Sequence, residues 1–407
     1  MFNKFFLGNK NLYLNDRHEE ADTYKEDRRK LYDKRILPLL EEDDFAIFGE
    51  KIDLFLWDYY RSLGLARIKP ENIFYVDSYL KYPSLTKAVL ADEPLIKKLK
   101  QKKFNFIFPY IESWDTGTLA QKINAFLFRS ANLTNWINNK WNYKQVLKKL
   151  NLPFILGYQT NLEKAEKYFK ELKKQGFKKV VLKKERSVSG FSVFIIEKED
   201  DFSRCLRDSL GEQKSFVLEG FIENIEYCPN FQYFITEKSI ELIIATDQLL
   251  EKDRVSYSGN LYPSFLVKKP AVWKTINEIS EKICNYLQTK RIFGLAGIDY
   301  IVTKQGKVYS TEINARTNGS TFPALIIKKL FGDEQIYWKF FVFNVKPMSF
   351  RDFMGKSGKV LIKKKGDFGI FPIGADILDS SGETQLLSAG KSRKEVDEYI
   401  DKLKSLF

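Results

Sequence analysis

The segment GIDYIVTKQGKVYSTEINAR, residues 297–316, predicts two antiparallel strands joined by a tight Lys-Gln-Gly turn. Side chains alternate along a strand, so Glu312 and Asn314 point to one face, and the short turn brings Asp299 beside them. Two carboxylates and an amide oxygen at one place are hard ligands, which suit Mg²⁺ rather than zinc. Acidic residues near a turn are also common as solvated charges, but the apolar residues between these argue for a buried site.

The segment VVLKKERSVSGFSVFII, residues 180–196, predicts a second hairpin. Lys183 lies near the end of its first strand and faces a loop that contains Ser187, Ser189 and Gly190. Backbone N–H groups and hydroxyls in such a loop can cover phosphates, while the lysine neutralises their charge. The alternative is a purely structural turn in a lysine-rich chain, and this segment alone does not decide between the two.

The segment FVLEGFIENIEY, residues 216–227, predicts a strand that ends in an apolar slot. Glu219, Phe221 and Ile222 can present hydrogen-bonding groups there, as needed to read the edge of an adenine base. Glu226, seven residues after Glu219, could accept hydrogen bonds from two ribose hydroxyls. Taken singly, both glutamates also fit solvated surface positions.

The region before residue 136 alternates short apolar runs with amphipathic stretches. The runs at 44–49, 73–76 and 104–110 suit buried strands. Strands that alternate with helices predict a parallel, Rossmann-like sheet. No Gly-x-Gly-x-x-Gly follows the first run, so we expect no dinucleotide site there. A helical pattern then covers 114–140.

Two further features complete the organisation of the chain. Lys140 opens a short helix, where a cation could reach an α-phosphate. Residues 346–407 read as Gly- and Lys-rich strands followed by a closing helix. We therefore expect them to form a small C-terminal appendage.

The composition is that of a globular protein with two to three domains. The chain has 407 residues, of which 44% are hydrophobic and 29% charged. Its 67 Lys and Arg against 53 Asp and Glu give a net charge of +14, which fits nucleic acid or small anions such as ATP and carboxylates. The excess is mostly lysine, so a coding bias explains it equally well, and the charge alone does not predict nucleic-acid binding.

Histidine and cysteine usage excludes several classes of site. The single histidine, His18, excludes histidine triads and multi-histidine metal sites. Three scattered cysteines without a Cys-x-x-Cys pair predict a reduced, cytoplasmic setting. No apolar run approaches the ~20 residues of a membrane span, and we expect neither a signal peptide nor a membrane partner.

The two hairpins, the strand ending at Glu219 and the helix opened by Lys140 follow one another in an order that resembles the ATP-grasp superfamily, over roughly residues 136–330. A lysine opens the module; Lys183 with a hydroxyl and glycine loop, the Glu-Gly-Phe-Ile strand end and the Asp-x12-Glu-x-Asn hairpin follow. The resemblance implies an α/β and α+β protein of four parts. These are a Rossmann-like pre-ATP-grasp domain (1–135), a lid subdomain (136–216), a catalytic subdomain (217–345) and a small C-terminal appendage (346–407).

The resemblance also implies roles for particular residues. ATP would be held by Lys140, Lys183, Ser187, Ser189, Gly190, Glu219, Phe221, Ile222 and Glu226. One or two Mg²⁺ ions, or Mn²⁺ instead, would be held by Asp299, Glu312 and Asn314. The residues acting on the reacting groups would be Lys183, Asn314 and Arg316, with the arginine steadying an acyl-phosphate or tetrahedral species. The sequence departs from the family in its lid loop, ERSVSG, which is not strongly glycine-rich, and at Gly297, where D-alanine ligases carry an arginine.

A narrower resemblance is to the pheganomycin-type peptide ligases. It is carried by residues 112–123, 246–264 and 313–323. The substrate contacts that it implies are Gln248, Arg254, Asn260, Thr317, Asn318, Gly319 and Ser320. A glycine-bearing turn at a sheet edge is the structural alternative for these positions.

The sequence therefore predicts an ATP-dependent ligase that joins the carboxylate of an amino acid or peptide to an amine. It would release ADP and phosphate through an acyl phosphate. A non-catalytic ATP-binding regulator of the same fold is the alternative, and a nucleic-acid binder rests only on the net charge. We expect small-molecule or peptide substrates and no nucleic acid. Residues 346–407 could mediate a homodimer or cap the acceptor site, and the sequence does not decide between the two.

Overall fold

The computed structural model of this protein describes residues 6, 8–16, 33–186, 193–199, 201–202, 205, 215–251 and 257–407. Everything below refers to these residues. None of their helices combines the length and the apolar character that crossing a membrane requires.

The N-terminal region contains the predicted parallel sheet. Its strands are β1 (Leu12–Leu14), β2 (Phe45–Phe48), β3 (Ile73–Tyr75) and β4 (Ile107–Pro109). They lie in the order β3-β2-β1-β4 and all pair in parallel. Helices α1 (Leu54–Ser62), α2 (Leu85–Ala91), α3 (Glu93–Lys102) and α4 (Trp114–Ile123) connect or follow the strands. The central strands are buried, as expected of a parallel sheet covered on both faces.

The prediction of continuous helix over 114–140 is wrong, because the chain breaks after α4. Asn124 takes a left-handed conformation with φ of 56°, which ends the helix. Phe126 then forms a parallel bridge with Phe106 beside β4. Helix α5 (Ala131–Ile137) starts afresh with the Ser130 side chain as its N-cap.

The next region is a helix followed by a small antiparallel sheet. Helix α6 (Lys140–Lys149) precedes strands β5 (Gly157–Thr160), β6 (Val180–Lys184), β7 (Val193–Ile196) and β8 (Phe216–Gly220), in the order β5-β8-β6-β7. The predicted pairing of β6 with β7 is confirmed. Helix α7 (Leu162–Lys174) covers one face of this sheet with its apolar side chains.

The remaining strands form one large sheet. Nine strands of the described chain take part, in the order β14-β13-β10-β11-β12-β15-β17-β16, with β9 paired to β13. Their bounds are β9 (Ile225–Tyr227), β10 (Pro229–Ile235), β11 (Ile240–Leu250), β12 (Tyr257–Tyr262), β13 (Gly294–Thr303), β14 (Val308–Asn314), β15 (Tyr337–Asn344), β16 (Gly369–Ile377) and β17 (Glu383–Gly390). Strands β16 and β17 lie within 346–407, so the sheet continues without a break into the predicted appendage.

Helices cover the large sheet and connect its strands. They are α8 (Pro270–Thr289), α9 (Thr321–Phe331), α10 (Phe350–Ser357) and α11 (Arg393–Lys404). Short 3-10 turns occur at Leu37–Leu39, Pro70–Asn72, Tyr79–Lys81 and Phe265–Lys268. The buried side chains of α8 pack on apolar residues of β10, β13 and β14, and this packing leaves the opposite face of those strands for polar residues.

The N-terminal domain and the C-terminal strands share one core. The Tyr60 hydroxyl donates a hydrogen bond to the carbonyl of Pro372 at 2.9 Å or of Ile373 at 3.1 Å. Its ring stacks on Phe371 at a centroid distance of 5.3 Å. Because both ends of the chain contribute to this cluster, they hold the walls around the large sheet in fixed positions.

We predict that Tyr60→Phe lowers the free energy of unfolding by about 1–2 kcal/mol, because the buried hydrogen bond to the carbonyl of Pro372 or Ile373 is lost while the ring stays in place. Urea unfolding of the full chain measures the change. Tyr309→Phe is the matched control, since that hydroxyl has no hydrogen-bond partner in the part of the chain the structure describes. Equal stability of the wild type and Tyr60→Phe would contradict the role of this contact.

Candidate active site

A cavity of about 520 Å³ lies between the small sheet and the polar face of the large sheet. The small sheet contributes Val181, Lys183 and Glu219, whose neighbours in sequence point to the opposite, apolar face. The large sheet contributes a row of polar side chains from β10 to β17. Pockets of this size between two substructures are typical of small-molecule sites.

The two carboxylates of the predicted hairpin meet on the cavity wall. Asp299 on β13 lies directly opposite Glu312 on β14, and Asn314 lies opposite Gly297 on the same face. Ile298 points to the other face and is fully buried against the α8 side. The predicted convergence of the two acidic residues and the asparagine is therefore confirmed.

Asp299 is surrounded by amide groups. Asn230 and Gln248 donate to its Oδ1 at 2.6 and 2.7 Å, and Asn314 donates to its Oδ2 at 2.9 Å. Burial, followed by the negative charge of Glu312, raises the pKa of Asp299 to about 7. Two carboxylates held this close favour a cation between or beside them.

Cations approach the same carboxylates from two sides. The Lys140 ammonium lies 3.3 Å from Glu312 and is buried. Asn139 caps this helix by accepting the N–H groups of the first turn, which places Lys140 at the positive end of the helix. On the other side, Arg316 donates to the Asn314 side-chain oxygen at 2.9 Å.

Arg316 also links the site to the N-terminal domain. It donates to the hydroxyl of Tyr110 at 3.2 Å and to the carbonyl of Thr317 at 2.9 Å. The backbone N–H of Thr317 donates to the carbonyl of Tyr110 at 3.1 Å. The guanidinium is therefore held in one orientation by residues that are some 200 positions apart in sequence.

A second group of charges lies on the small sheet. The buried Glu219 carboxylate is bound by Lys144 at 2.9 Å and by Lys183. Burial alone would raise the pKa of Glu219, but the two lysines outweigh it and lower the pKa to about 2. The next residue is Gly220, where no side chain would fit, because a Cβ there would lie 2.1 Å from the ring of Phe177.

Comparison with known proteins identifies this architecture. Residues 137–320 match the sequence model of an ATP-grasp domain. Residues 137–320 therefore form an ATP-grasp domain. The butirosin acyl-carrier protein–L-glutamate ligase of Niallia circulans is 26% identical over 223 residues, 53% of this chain and 52% of that ligase. The chain thus spans about half the length of this curated relative.

Solved structures show the same fold over nearly the whole chain. An ADP complex of N5-carboxyaminoimidazole ribonucleotide synthetase has a TM-score of 0.63 and 11% identity, covering 98% of this chain and 97% of that one. Biotin carboxylase of Campylobacter jejuni, in a β-γ-ATP complex, has a TM-score of 0.60 and 15% identity, covering 96% and 89%. The predicted class, a Rossmann-like domain followed by an ATP-grasp module, is confirmed.

Most of the residues named from the sequence line the ATP-grasp cavity. Those that line it are Lys140, Lys183, Glu219, Phe221, Ile222, Gln248, Asp299, Glu312, Asn314, Arg316, Asn318, Gly319, Ser320 and Asn260. Those that do not are Glu226, whose carboxylate is bound by Lys269 at 2.7 Å, and the buried Thr317. Those outside the described residues are Ser187, Ser189, Gly190 and Arg254, as is His18.

The structure explains one departure from the family and limits one predicted contact. A Cβ at position 297 would lie 2.3 Å from the side-chain oxygen of Asn318, so Asn318 occupies the space beside Gly297. The backbone N–H of Phe221 donates to the carbonyl of Lys179 at 3.0 Å. In this structure that N–H is therefore already used within the small sheet.

Sequence reasoning missed several residues of the site. Lys144 follows Lys140 by four positions, which puts both on one helix face and could have signalled the second cation. Asn230 and Gln232 alternate with apolar residues in the strand PNFQYFI, and this alternation marks a polar face. No sequence pattern indicated Tyr110, because it reaches the site only through tertiary packing.

The donor set fits a magnesium ion. Asp299 and Glu312 supply two carboxylates, and no group of three or more His, Cys, Asp or Glu that could hold a metal occurs in the described ranges. Mg²⁺ usually takes one or two carboxylates and completes its shell with water and phosphate oxygens. The Asn314 side chain points its NH₂ group at Asp299 and its oxygen at Arg316, so the amide would have to turn before its oxygen could join as a third ligand.

We predict that Glu219→Gln lowers the free energy of unfolding by about 3–5 kcal/mol at pH 7, because it leaves two buried lysines without their carboxylate. The folded pKa lies below the ordinary value of 4.5, so this difference from the wild type is complete above about pH 4.5 and shrinks as the pH falls toward 2. Denaturant unfolding of both proteins across this range measures it.

The matched control is Glu197→Gln, because Glu197, directly after β7, pairs with Lys179, directly before β6, at 3.5 Å and both side chains are exposed. Exposed pairs contribute at most about 1 kcal/mol. Equal losses for the two variants would contradict the assignment of Glu219 as a buried, doubly paired carboxylate.

Proposed function

We propose that this protein is an ATP-dependent ligase that joins a carboxylate to an amine through an acyl phosphate and releases ADP and phosphate. The observation that carries the proposal is the pairing of Asp299 and Glu312 in a cavity that also contains Lys140, Lys183 and Arg316. This is the charge distribution that a triphosphate with a divalent ion requires. The likeness to a glutamate ligase and to ADP- and ATP-bound structures supports it.

The nucleotide would lie between the two sheets. Its phosphates would face Lys140 and Lys183, with the base toward Phe221 and Ile222, which line the small-sheet end of the cavity. Mg²⁺ would be held by Asp299 and Glu312. When bound there it neutralises charge on the phosphate oxygens.

The reaction is balanced without a protein nucleophile. An oxygen of the substrate carboxylate attacks the γ-phosphorus of ATP, the bond to ADP breaks, and an acyl phosphate forms. The amine nitrogen then attacks the acyl carbon, the carbon–oxygen bond to phosphate breaks, and the amine gives up a proton. Amide, ADP and phosphate result.

The residues of this chain position and neutralise the reacting groups. Lys183 and Lys140 reduce the repulsion between the carboxylate and the triphosphate, which are both anions. Arg316, fixed by Tyr110 and Asn314, is placed to stabilise negative charge on the acyl phosphate. Orientation of bound substrates contributes on the order of 7–11 kcal/mol in reactions of this kind.

The proposal extends to the substrates, which would be amino acids or peptides. Gln248, Asn260 and the loop Asn318–Ser320 lie on the cavity wall beyond the carboxylates, where a second substrate would meet the acyl phosphate. The relative to which the chain is similar is, by its name, a ligase of L-glutamate and an acyl-carrier protein, so one of its substrates is an amino acid. We therefore infer an amino-acid or peptide substrate here.

We predict that Glu312→Gln lowers ligation by about 10²-fold or more, since removing a preorganised electrostatic group from an active site has an effect of this size. The assay is ADP release by the full chain with ATP, Mg²⁺, mixed amino acids and short peptides, with products identified by mass spectrometry. Release should require both an acid and an amine.

Glu334→Gln is the control, because it removes one carboxylate from an exposed loop and should leave the rate unchanged. Wild-type turnover by Glu312→Gln would contradict the proposal. ATP binding without any product across the panel would favour the alternative, a non-catalytic ATP-binding regulator.

A further inference from the structure

The far end of the cavity is built by the C-terminal strands. Phe340, Val342 and Asn344 of β15 and Glu383 and Gln385 of β17 line it. This end is not used by the nucleotide or the carboxylate pair in the function proposed above. The inference that follows rests on that function, because it concerns the substrate of the same cavity.

Strand pairing places this end on the same face as the carboxylates. Asp299 accepts from Gln248, which lies opposite Asn260, and Asn260 lies opposite Phe340. Side chains at every second position of a strand share a face, so the row of polar residues continues along β15 and β17. The carboxylates and the far end are therefore two parts of one continuous surface.

Gln385 presents a buried acceptor without a partner. Its side chain is only 2% exposed, it lines the cavity, and its Oε1 has no hydrogen-bond partner. A buried oxygen without a donor carries a cost of about 1–3 kcal/mol. A ligand that brings a donor to this oxygen would recover that cost.

The neighbours of Gln385 determine what kind of donor fits. Glu383 is two residues away on the same face, and Asn344 lies directly opposite Glu383 in the pairing of β15 with β17. A carboxylate and two carboxamides offer three acceptor groups and one negative charge within one patch. A protonated amine, with several N–H donors and one positive charge, matches this set.

We propose that Gln385, Glu383 and Asn344 form a subsite for an ammonium group of the substrate. Five strand steps separate β13 from β17 in the sheet, a distance of about 24 Å along its surface. The ammonium bound there is therefore remote from the bond being formed. The substrate class is an extended molecule with a cationic end, such as a peptide with a free amino terminus or a basic side chain.

Arg35 affects where along the cavity a cationic group can bind. Its guanidinium lies 5.3 Å from the Phe340 ring centroid and donates to the carbonyl of Gly319 at 3.1 Å. Phe340 and Asn344 are four residues apart, which is about 13 Å along a strand. Positive charge therefore lies between the carboxylate pair and the subsite. A cationic end that passes Arg35 is favoured only at the acceptors beyond it.

The test is a binding titration of the full chain with 1,5-diaminopentane and with its neutral counterpart, 1,5-pentanediol. It is run with and without Mg²⁺ and a non-hydrolysable ATP analogue. The diamine should bind at least about tenfold more tightly than the diol. Glu383→Gln and Gln385→Leu should each weaken the diamine about tenfold and leave the affinity for the nucleotide analogue unchanged.

Asn344→Asp distinguishes a loss of diamine affinity at the subsite from a loss caused by misfolding, because this variant should gain affinity. Asn344 is exposed, so the variant should fold, and a second carboxylate opposite Glu383 should tighten the diamine several-fold. Glu334→Gln, with its carboxylate outside the cavity, should have no effect.

Equal affinity for diamine and diol, or a diamine affinity that none of the three cavity variants changes, would overturn the subsite. Because the readout is binding, it is independent of turnover. If the protein ligates normally but fails this titration, only the subsite proposal is rejected. If the protein binds the diamine as expected but does not ligate, the proposed function is rejected and a site for cationic ligands remains.

Discussion

The structure depends on two like charges held side by side. Asp299 and Glu312 occupy directly opposed positions on neighbouring strands, and both carboxylates are partly buried on the cavity wall. Such a pair is unfavourable unless cations or hydrogen-bond donors compensate it. Here amide groups from β10, β11 and β14 do so, together with Lys140 of α6 and Arg316, which follows β14. The arrangement is ready to receive a further positive charge together with an anionic ligand.

The large sheet is the platform that brings these parts together. One face packs on helix α8, so the other face is left for polar side chains from β10 to β17. The N-terminal domain reaches this face through Tyr110, and the C-terminal strands extend it through Gln385. The cavity therefore has contributions from all regions of the chain. Its two ends differ in chemistry, with the carboxylate pair at one end and neutral and acidic acceptors at the other.

Local patterns were sufficient to predict the strands that carry the two carboxylates of the cavity. The hairpin around Asp299 and Glu312 was predictable because alternation and a short turn fix which residues face each other. The break after Asn124 was not, since the competing contact is a bridge between Phe126 and a distant strand. The joining of 346–407 to the main sheet also left no local signal, because its strands pair with residues far away in sequence. The acceptor role of Gln385 follows only from that pairing.

Anomalous diffraction from crystals of the full chain grown with Mn²⁺ and ADP, with Mn²⁺ standing in for Mg²⁺, tests the central claim most directly. The account predicts an anomalous peak within coordination distance of the carboxylates of Asp299 and Glu312, bridged to the diphosphate, with Lys183 facing the phosphate oxygens. A nucleotide held elsewhere, or a metal peak remote from both carboxylates, would contradict it.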